Sequence, residues 1–147
     1  MTSIPTTTAL LALPLAGCGP DLPEGWEDAD GINDFTQNEC EGSAYDTAEV
    51  ASVAANADDP GLRVVGDDLP FRCEQEVEGF YRVDGDAVDI LVQPVNMDPR
   101  SVANCDCLYK VEAGIPEDPP TTVTLYRRWD SINDENNPVM VGTVEVP

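Results

Sequence analysis

The side chains that most often carry out chemistry are unevenly represented in this chain of 147 residues. It contains five cysteines and 29 acidic residues, but only 7 Lys and Arg residues and no histidine. Without histidine, Ser-His and Cys-His nucleophiles and histidine-ligated zinc sites are excluded. Two carboxylates about 5 to 9 Å apart would suffice to hydrolyse a glycoside, but none of the acids lies in a catalytic motif. We therefore predict no catalytic residue, no cofactor and a non-enzymatic role.

The first cysteine, Cys18, ends a short apolar stretch. The run from Ala9 to Leu15 is too short to cross a bilayer, which takes about 20 apolar residues, but it suits the core of a signal peptide. The sequence Leu15-Ala16-Gly17-Cys18 resembles the lipobox of bacterial lipoproteins. This resemblance implies that residues 1–17 are a cleaved signal peptide and that Cys18 receives a diacylglyceryl thioether as the mature N-terminus. The alternatives are a cleaved secretory signal without lipid, and an ordinary buried strand or helix with a chance cysteine.

Assigning Cys18 to a lipid leaves an even set of four cysteines, Cys40, Cys73, Cys105 and Cys107. An even set in a small exported domain predicts disulfide bonds. On a strand, the two cysteines of the C-x-C pair would point to one face about 7 Å apart, which is too far for a bond between them. Each should therefore bond to either Cys40 or Cys73. A structural zinc site is disfavoured because the C-x2-C pairs are missing.

Three aspartates, Asp28, Asp30 and Asp34, surround Gly31 in a pattern like part of a calcium loop. With Gly31 at the glycine position of such a loop, Trp26 would stand at the first ligand and Gln37 at the bidentate glutamate. These aspartates are therefore only a weak calcium candidate, and no metal site is predicted.

A second candidate is the segment Tyr126-Arg127-Arg128-Trp129, which holds the only adjacent pair of bases. Aromatic and guanidinium groups together could bind a sugar, a guanidinium or a partner side chain. Neighbouring residues on a strand point to opposite faces, so Arg127 should lie with Trp129 and Tyr126 with Arg128. Salt bridges and core packing are the competing interpretation of this segment.

Beyond Cys40 the chain alternates apolar and polar residues, as half-buried strands do. The clearest feature is a hairpin, in which residues 76–83 and 87–93 flank the turn at 84–86. Further strands are expected at 47–54, 62–65, 105–113, 121–129 and 139–146, although residues 48–55 could equally be helical. About seven short strands at roughly ten-residue spacing are typical of an antiparallel β-sandwich with an immunoglobulin-like look. We therefore predict an all-β, disulfide-stapled sandwich.

The predicted strand order bears on the disulfides. If residues 105–113 pair antiparallel with 87–95, the strand that begins at Cys105 starts at the same end of the sheet as Cys73. That geometry favours a bond from Cys73 to one cysteine of the pair and from Cys40 to the other. The chain resembles, in general sequence character, small cysteine-containing lipoproteins of uncertain role from myxobacteria-like genomes. The resemblance is carried by stretches such as Phe71-Arg72-Cys73, Val92-Gln93-Pro94 and Cys105-Asp106-Cys107. This resemblance implies no activity.

Charge and composition complete the expectations. A formal charge of −22 argues against binding to nucleic acid and against electrostatic binding to anionic membranes, because both need clustered Lys and Arg. We expect the membrane to be reached through covalent lipid, with an envelope protein or glycan as the partner.

Few large apolar residues and several Pro and Gly between Gly19 and Glu39 predict a flexible acidic tether. The expected organisation is a signal peptide at 1–17, a tether at 18–39 and a sandwich at 40–147, on the periplasmic face or outer membrane of a bacterial envelope.

Overall fold

A computed structural model describes residues 19–42, 51–98, 105–129 and 138–147, and this part of the chain contains strands and no helix. No helix long and apolar enough to cross a membrane occurs among these residues. The strands are β1 (Asp30–Gly31), β2 (Asp34–Gln37), β3 (Ser52–Ala57), β4 (Leu62–Arg72), β5 (Val77–Asp84), β6 (Ala87–Pro94), β7 (Asp106–Ile115), β8 (Thr122–Arg127) and β9 (Val139–Glu145).

The strands form two sheets packed face to face. One has the order β1-β5-β6-β8-β9 and the other β2-β7-β4-β3. Alternate residues of each sheet enclose a common apolar core, as the period-two pattern requires. The core includes Phe71, Tyr81, Ile90, Val111 and Leu125, each at most 8% exposed. The predicted all-β sandwich is confirmed.

The strand arrangement differs from the expected one in two linked respects. The strand that begins at Asp106 pairs with β2 and β4 rather than with β6. The chain leaves β6 at Pro94, crosses to the other sheet, runs the length of the sandwich as β7 and returns beside Ala87 as β8. Having travelled back in the other sheet, β8 must run parallel to β6, and the five-stranded sheet is therefore mixed.

The disulfide prediction is confirmed, with its alternatives now resolved. Cys40 bonds to Cys107 and Cys73 bonds to Cys105, with Cα atoms 5.7 and 5.5 Å apart. The two members of the C-x-C pair have different partners because β7 lies beside both segments. It hydrogen-bonds to the chain after β2 on one side and to the end of β4 on the other. Cys18 and residues 1–17 lie outside the described residues.

The prediction of a flexible tether between Gly19 and Glu39 is wrong. Trp26 is only 3% exposed, and it packs with Phe80 and Leu91 on the outer face of the five-stranded sheet. The chain then adds β1 to one sheet and β2 to the other, so that it closes one edge of the sandwich. Only a few apolar side chains of this segment take part in the packing. The outer face of the sheet contributes the other side of the buried contact.

A buried arginine fixes the start of this N-terminal segment. Arg128 is 1% exposed, and its Nη1 donates to the Asp21 carbonyl at 2.6 Å and to Gln93 Oε1 at 3.3 Å. The amide of Gln93, which is fully buried, donates to the same carbonyl at 3.0 Å. Hydrogen bonds from a buried, charged guanidinium are among the strong ones, so these contacts hold Asp21 against the sheet.

The expected strand at 47–54 is borne out only over its last residues. Ser52 to Ala54 belong to β3, which continues to Ala57, whereas residues 47–50 lie outside the described part of the chain. The helical alternative is wrong for residues 52–55, which pair with β4.

Candidate functional site

The segment with adjacent bases lies at one end of the sandwich, which we call the tryptophan end and define by Trp129, Arg127 and Arg72. The guanidinium carbons of Arg72 and Arg127 lie 5.0 and 4.9 Å from the centre of the Trp129 ring. Arg72 also forms a 2.8 Å ion pair with Asp106, which is largely buried. Two cation–π contacts on one ring hold the indole in place where β8 ends.

The division of this segment between two faces is confirmed. Arg127 and Trp129 lie together, and Arg127 Nη1 donates to the Pro70 carbonyl at 3.4 Å. Tyr126 instead forms a T-shaped pair with Trp26, with ring centres 5.6 Å apart, on the outer face where Arg128 also lies. A sugar stacking on Trp129 would compete with two guanidinium groups that are already there.

Apolar side chains are also exposed at the tryptophan end. The exposed large apolar residues of the described chain are Val83, Val95, Val139 and Met140, at 50 to 59%. Val139 pairs with Arg127, Met140 pairs with Tyr126, and Val95 follows the end of β6. Three of the four therefore lie at the end that carries Trp129.

The three aspartates of the weak calcium candidate are not brought together. Asp34 lies in β2, where its carboxylate forms an ion pair with Arg63 at 3.2 Å. Asp28 and Asp30 line a separate groove that also contains Arg82. Within the described ranges, no cluster of three or more carboxylate or thiolate groups could hold a metal ion.

The opposite end of the sandwich contains a cavity of about 260 Å³ between the two sheets, which we call the cavity end. Its apolar lining comes from Ile32, Leu62 and Ile115, and its polar lining includes Asp34, Asp58, Arg63 and Tyr81. Arg63 bridges the carboxylates of Asp34 and Asp58, at 3.2 and 3.6 Å. Gly114 makes room for this arrangement, because a side chain there would overlap the Asp34 carboxylate.

The tyrosine that lines the cavity, Tyr81, is held by a hydrogen bond to a carboxylate beside the cavity. Burial raises the pKa of Tyr81 above its usual 10.0, and the neighbouring carboxylates of Glu117 and Asp30 raise this pKa further. The phenol therefore stays protonated at neutral pH and donates to Glu117 Oε1 at 3.3 Å. The cavity thus presents one arginine and two carboxylates beside an apolar wall, together with a tyrosine whose hydroxyl proton is donated to Glu117.

A carboxylate with a perturbed pKa lies elsewhere. Partial burial raises the pKa of Glu78 above its usual 4.5; repulsion from Glu76 adds to this rise, and a hydrogen bond from Gln93 opposes it. Glu78 is not among the residues that line the cavity. The combination expected of a carboxylate-based hydrolase, an acid of raised pKa inside a concave pocket, is therefore not found in the described cavity.

Sequence reasoning found the Arg127–Trp129 pair but missed the cavity. Its polar residues come from β2, β4, β5 and the loop before Pro60, and no local motif joins them. One signal was present: Arg63 stands among apolar residues at the start of β4, where a charged side chain at the sandwich end needs a partner.

No protein-family model, curated protein or solved structure matches this chain.

Proposed function

We propose that this chain is a lipid-anchored protein of the bacterial envelope, with Cys18 as the anchored residue and a non-enzymatic interaction or structural role. After export, the acyl chains on Cys18 hold the mature sandwich at the membrane surface. Each buried methylene of such chains contributes about 0.8 kcal/mol to membrane binding, which the acidic surface does not overcome.

The observation that carries the proposal is the distribution of cysteines. Cys40, Cys73, Cys105 and Cys107 are joined in two disulfides, which form and persist in oxidising compartments such as the periplasm. The remaining cysteine stands at the end of a signal-like apolar run, in a sequence that resembles a lipobox. Export and a separate chemistry for Cys18 together account for all five cysteines.

Mass spectrometry of the native protein after membrane extraction tests this proposal. We expect a chain that begins at Cys18, carries acyl groups on that residue and has the other four cysteines oxidised. Cys18→Ser is the matched variant, and it should leave the membrane fraction while keeping both disulfides. An intact Met1 with free thiols would overturn the proposal.

A binding role at the cavity end is the second candidate, and the cavity itself favours it. Asp34 and Asp58 share a single arginine, so the polar wall has an excess of negative charge beside an apolar surface. Such a wall suits a basic side chain of a partner protein better than it suits a sugar. Titration with short arginine-containing peptides should perturb the signals of Tyr81, whereas matched citrulline peptides and the Asp58→Asn variant should show weaker binding. Equal binding of the arginine and citrulline peptides would argue against this role.

A further inference from the structure

The distance between Cys18 and the folded domain decides which way an anchored molecule faces. Cys18 is three residues before Asp21, whose carbonyl is held by Arg128 and Gln93 at 2.6 and 3.0 Å. Three extended residues span at most about 11 Å. The segment once expected to be a long spacer therefore gives Cys18 only a short reach from a fixed point.

That fixed point lies at the tryptophan end. Gln93 is near the C-terminal end of β6, and Arg128 follows the end of β8. The other end of β6, at Ala87, is six residues away from Gln93, which is about 20 Å along a strand. This distance is about twice the reach of the Cys18 segment, so the cavity end cannot be the end that meets the lipid.

The side chains at the tryptophan end suit a lipid interface. Tryptophan and arginine are favoured at the depth of the headgroups, where an apolar body and a polar tip are both accommodated. Trp129 and Arg127 lie there with the exposed side chains of Val95, Val139 and Met140. Exposed apolar side chains grouped beside an aromatic ring mark an interaction surface more often than scattered ones do.

We propose that the tryptophan end rests on the lipid surface, with Trp129 at headgroup depth, and that the cavity end faces away from the membrane. This orientation rests on the proposed anchor at Cys18. Glu74 and Glu76, exposed beside β5, offset the charge of the arginines. Contact therefore depends on the covalent anchor and the apolar side chains, and not on net attraction to anionic lipid.

The orientation is tested by attaching the domain to vesicles at a chosen residue. A protein that begins at Cys18 has one free thiol once its two disulfides have formed, and this thiol can be coupled to a maleimide lipid in phosphatidylcholine vesicles. Trp26→Phe leaves Trp129 as the only tryptophan. The matched control carries Cys18→Ser and Val83→Cys, because Val83 is 51% exposed and next to the β5–β6 turn at the cavity end.

We expect lipids brominated near the headgroup to quench Trp129 about twofold or more strongly in the Cys18-anchored protein than in the control, because the indole then lies in the interface. Acrylamide in the aqueous phase should show the opposite order. If Trp26→Phe does not fold, the difference between the wild-type chain and Trp129→Phe gives the same signal, since Trp26 is buried.

Equal bromolipid quenching in the two anchored forms, or none in the Cys18 form, would overturn the orientation. The anchor here is chemical, so neither result depends on whether cells acylate Cys18. A native chain without acyl groups would instead overturn the proposed function.

Discussion

Replacing Trp26 with alanine should destabilise the domain by about 3 to 5 kcal/mol, the cost typical of a buried Trp→Ala substitution. Trp26 is 3% exposed and lies on Phe80 and Leu91. Its ring also contacts Tyr126 at 5.6 Å between centres and Arg82 at 4.2 Å from the guanidinium carbon. If the segment were a flexible tether, the same substitution would change the stability by no more than about 0.5 kcal/mol.

The expected magnitude follows from the area that the indole buries. A tryptophan buries roughly 150 to 250 Å², which at about 25 cal/mol per Å² gives about 4 to 6 kcal/mol. Partial burial in the denatured chain lowers this figure by roughly 10 to 40%. The contact with Arg82 adds about 0.5 to 1 kcal/mol. The net loss therefore remains several times larger than the effect of a surface substitution.

The assay is equilibrium unfolding in urea with both disulfides intact, followed by far-ultraviolet circular dichroism so that the lost fluorophore does not matter. With an m-value of about 2 kcal/mol per M, the midpoint should fall by about 2 M. Glu24→Ala, on an exposed residue of the same segment, is the control and should leave the midpoint nearly unchanged. A loss below about 1 kcal/mol for Trp26→Ala would refute the assignment of this segment to the fold.

Three further predictions concern the same fold. Arg128→Met should weaken the hold on Asp21, seen as faster proteolysis and hydrogen exchange in residues 19–31; unchanged protection there would contradict the role of the arginine. Replacing Cys73 and Cys105 with serine opens a loop with a sequence separation of 32 and should cost about 4 kcal/mol in urea unfolding, whereas a loss near zero would mean that the bond does not constrain the unfolded chain. The pKa of Glu78 is raised in the folded state, so its ionisation opposes folding, and stability should fall as the pH rises from about 4.5 through the raised pKa. Glu78→Gln should remove this part of the pH dependence in urea titrations, Glu24→Gln should not, and identical profiles for the two variants would contradict the assignment.

The sequence located best those strands whose apolar and polar residues alternate without interruption. Residues 76–83 and 87–93 alternate clearly around a Gly turn, and they match β5 and β6 closely. Strand β4 was predicted only for residues 62–65, yet it runs to Arg72. Its alternation breaks at a register shift between Gly66 and Leu69, where one extra residue bulges and changes which side chains face inward.

The N-terminal segment was misjudged because its own composition says little about its environment. Leu22 and Trp26 are too few to indicate a packed element, and the surface that they cover is contributed by distant strands. A signal was nevertheless present in β6, where Ile90, Leu91 and Val92 are consecutive apolar residues. Such a run indicates burial on both faces of a sheet, so something had to cover the outer one.

The two candidate sites also differ in how far the sequence could predict them. Arg127 and Trp129 share a face because of strand alternation, which is a local property and could be predicted. The third member of their cluster, Arg72, is contributed by a strand of the other sheet. The cavity at the opposite end depends wholly on which strand ends meet, because its residues are far apart in the chain.

The sequence by itself determined the fold class, the even set of disulfide cysteines and the candidate anchor, because periodicity, composition and short motifs are local properties of a chain. Only the tertiary structure decided the parallel pairing of β6 with β8, the partner of each cysteine and the docking of the N-terminal segment. These features depend on which distant surfaces meet. The buried Arg128 at Asp21 is the clearest case, because it turns an apparent tether into the short connection that would set how an anchored domain faces its membrane.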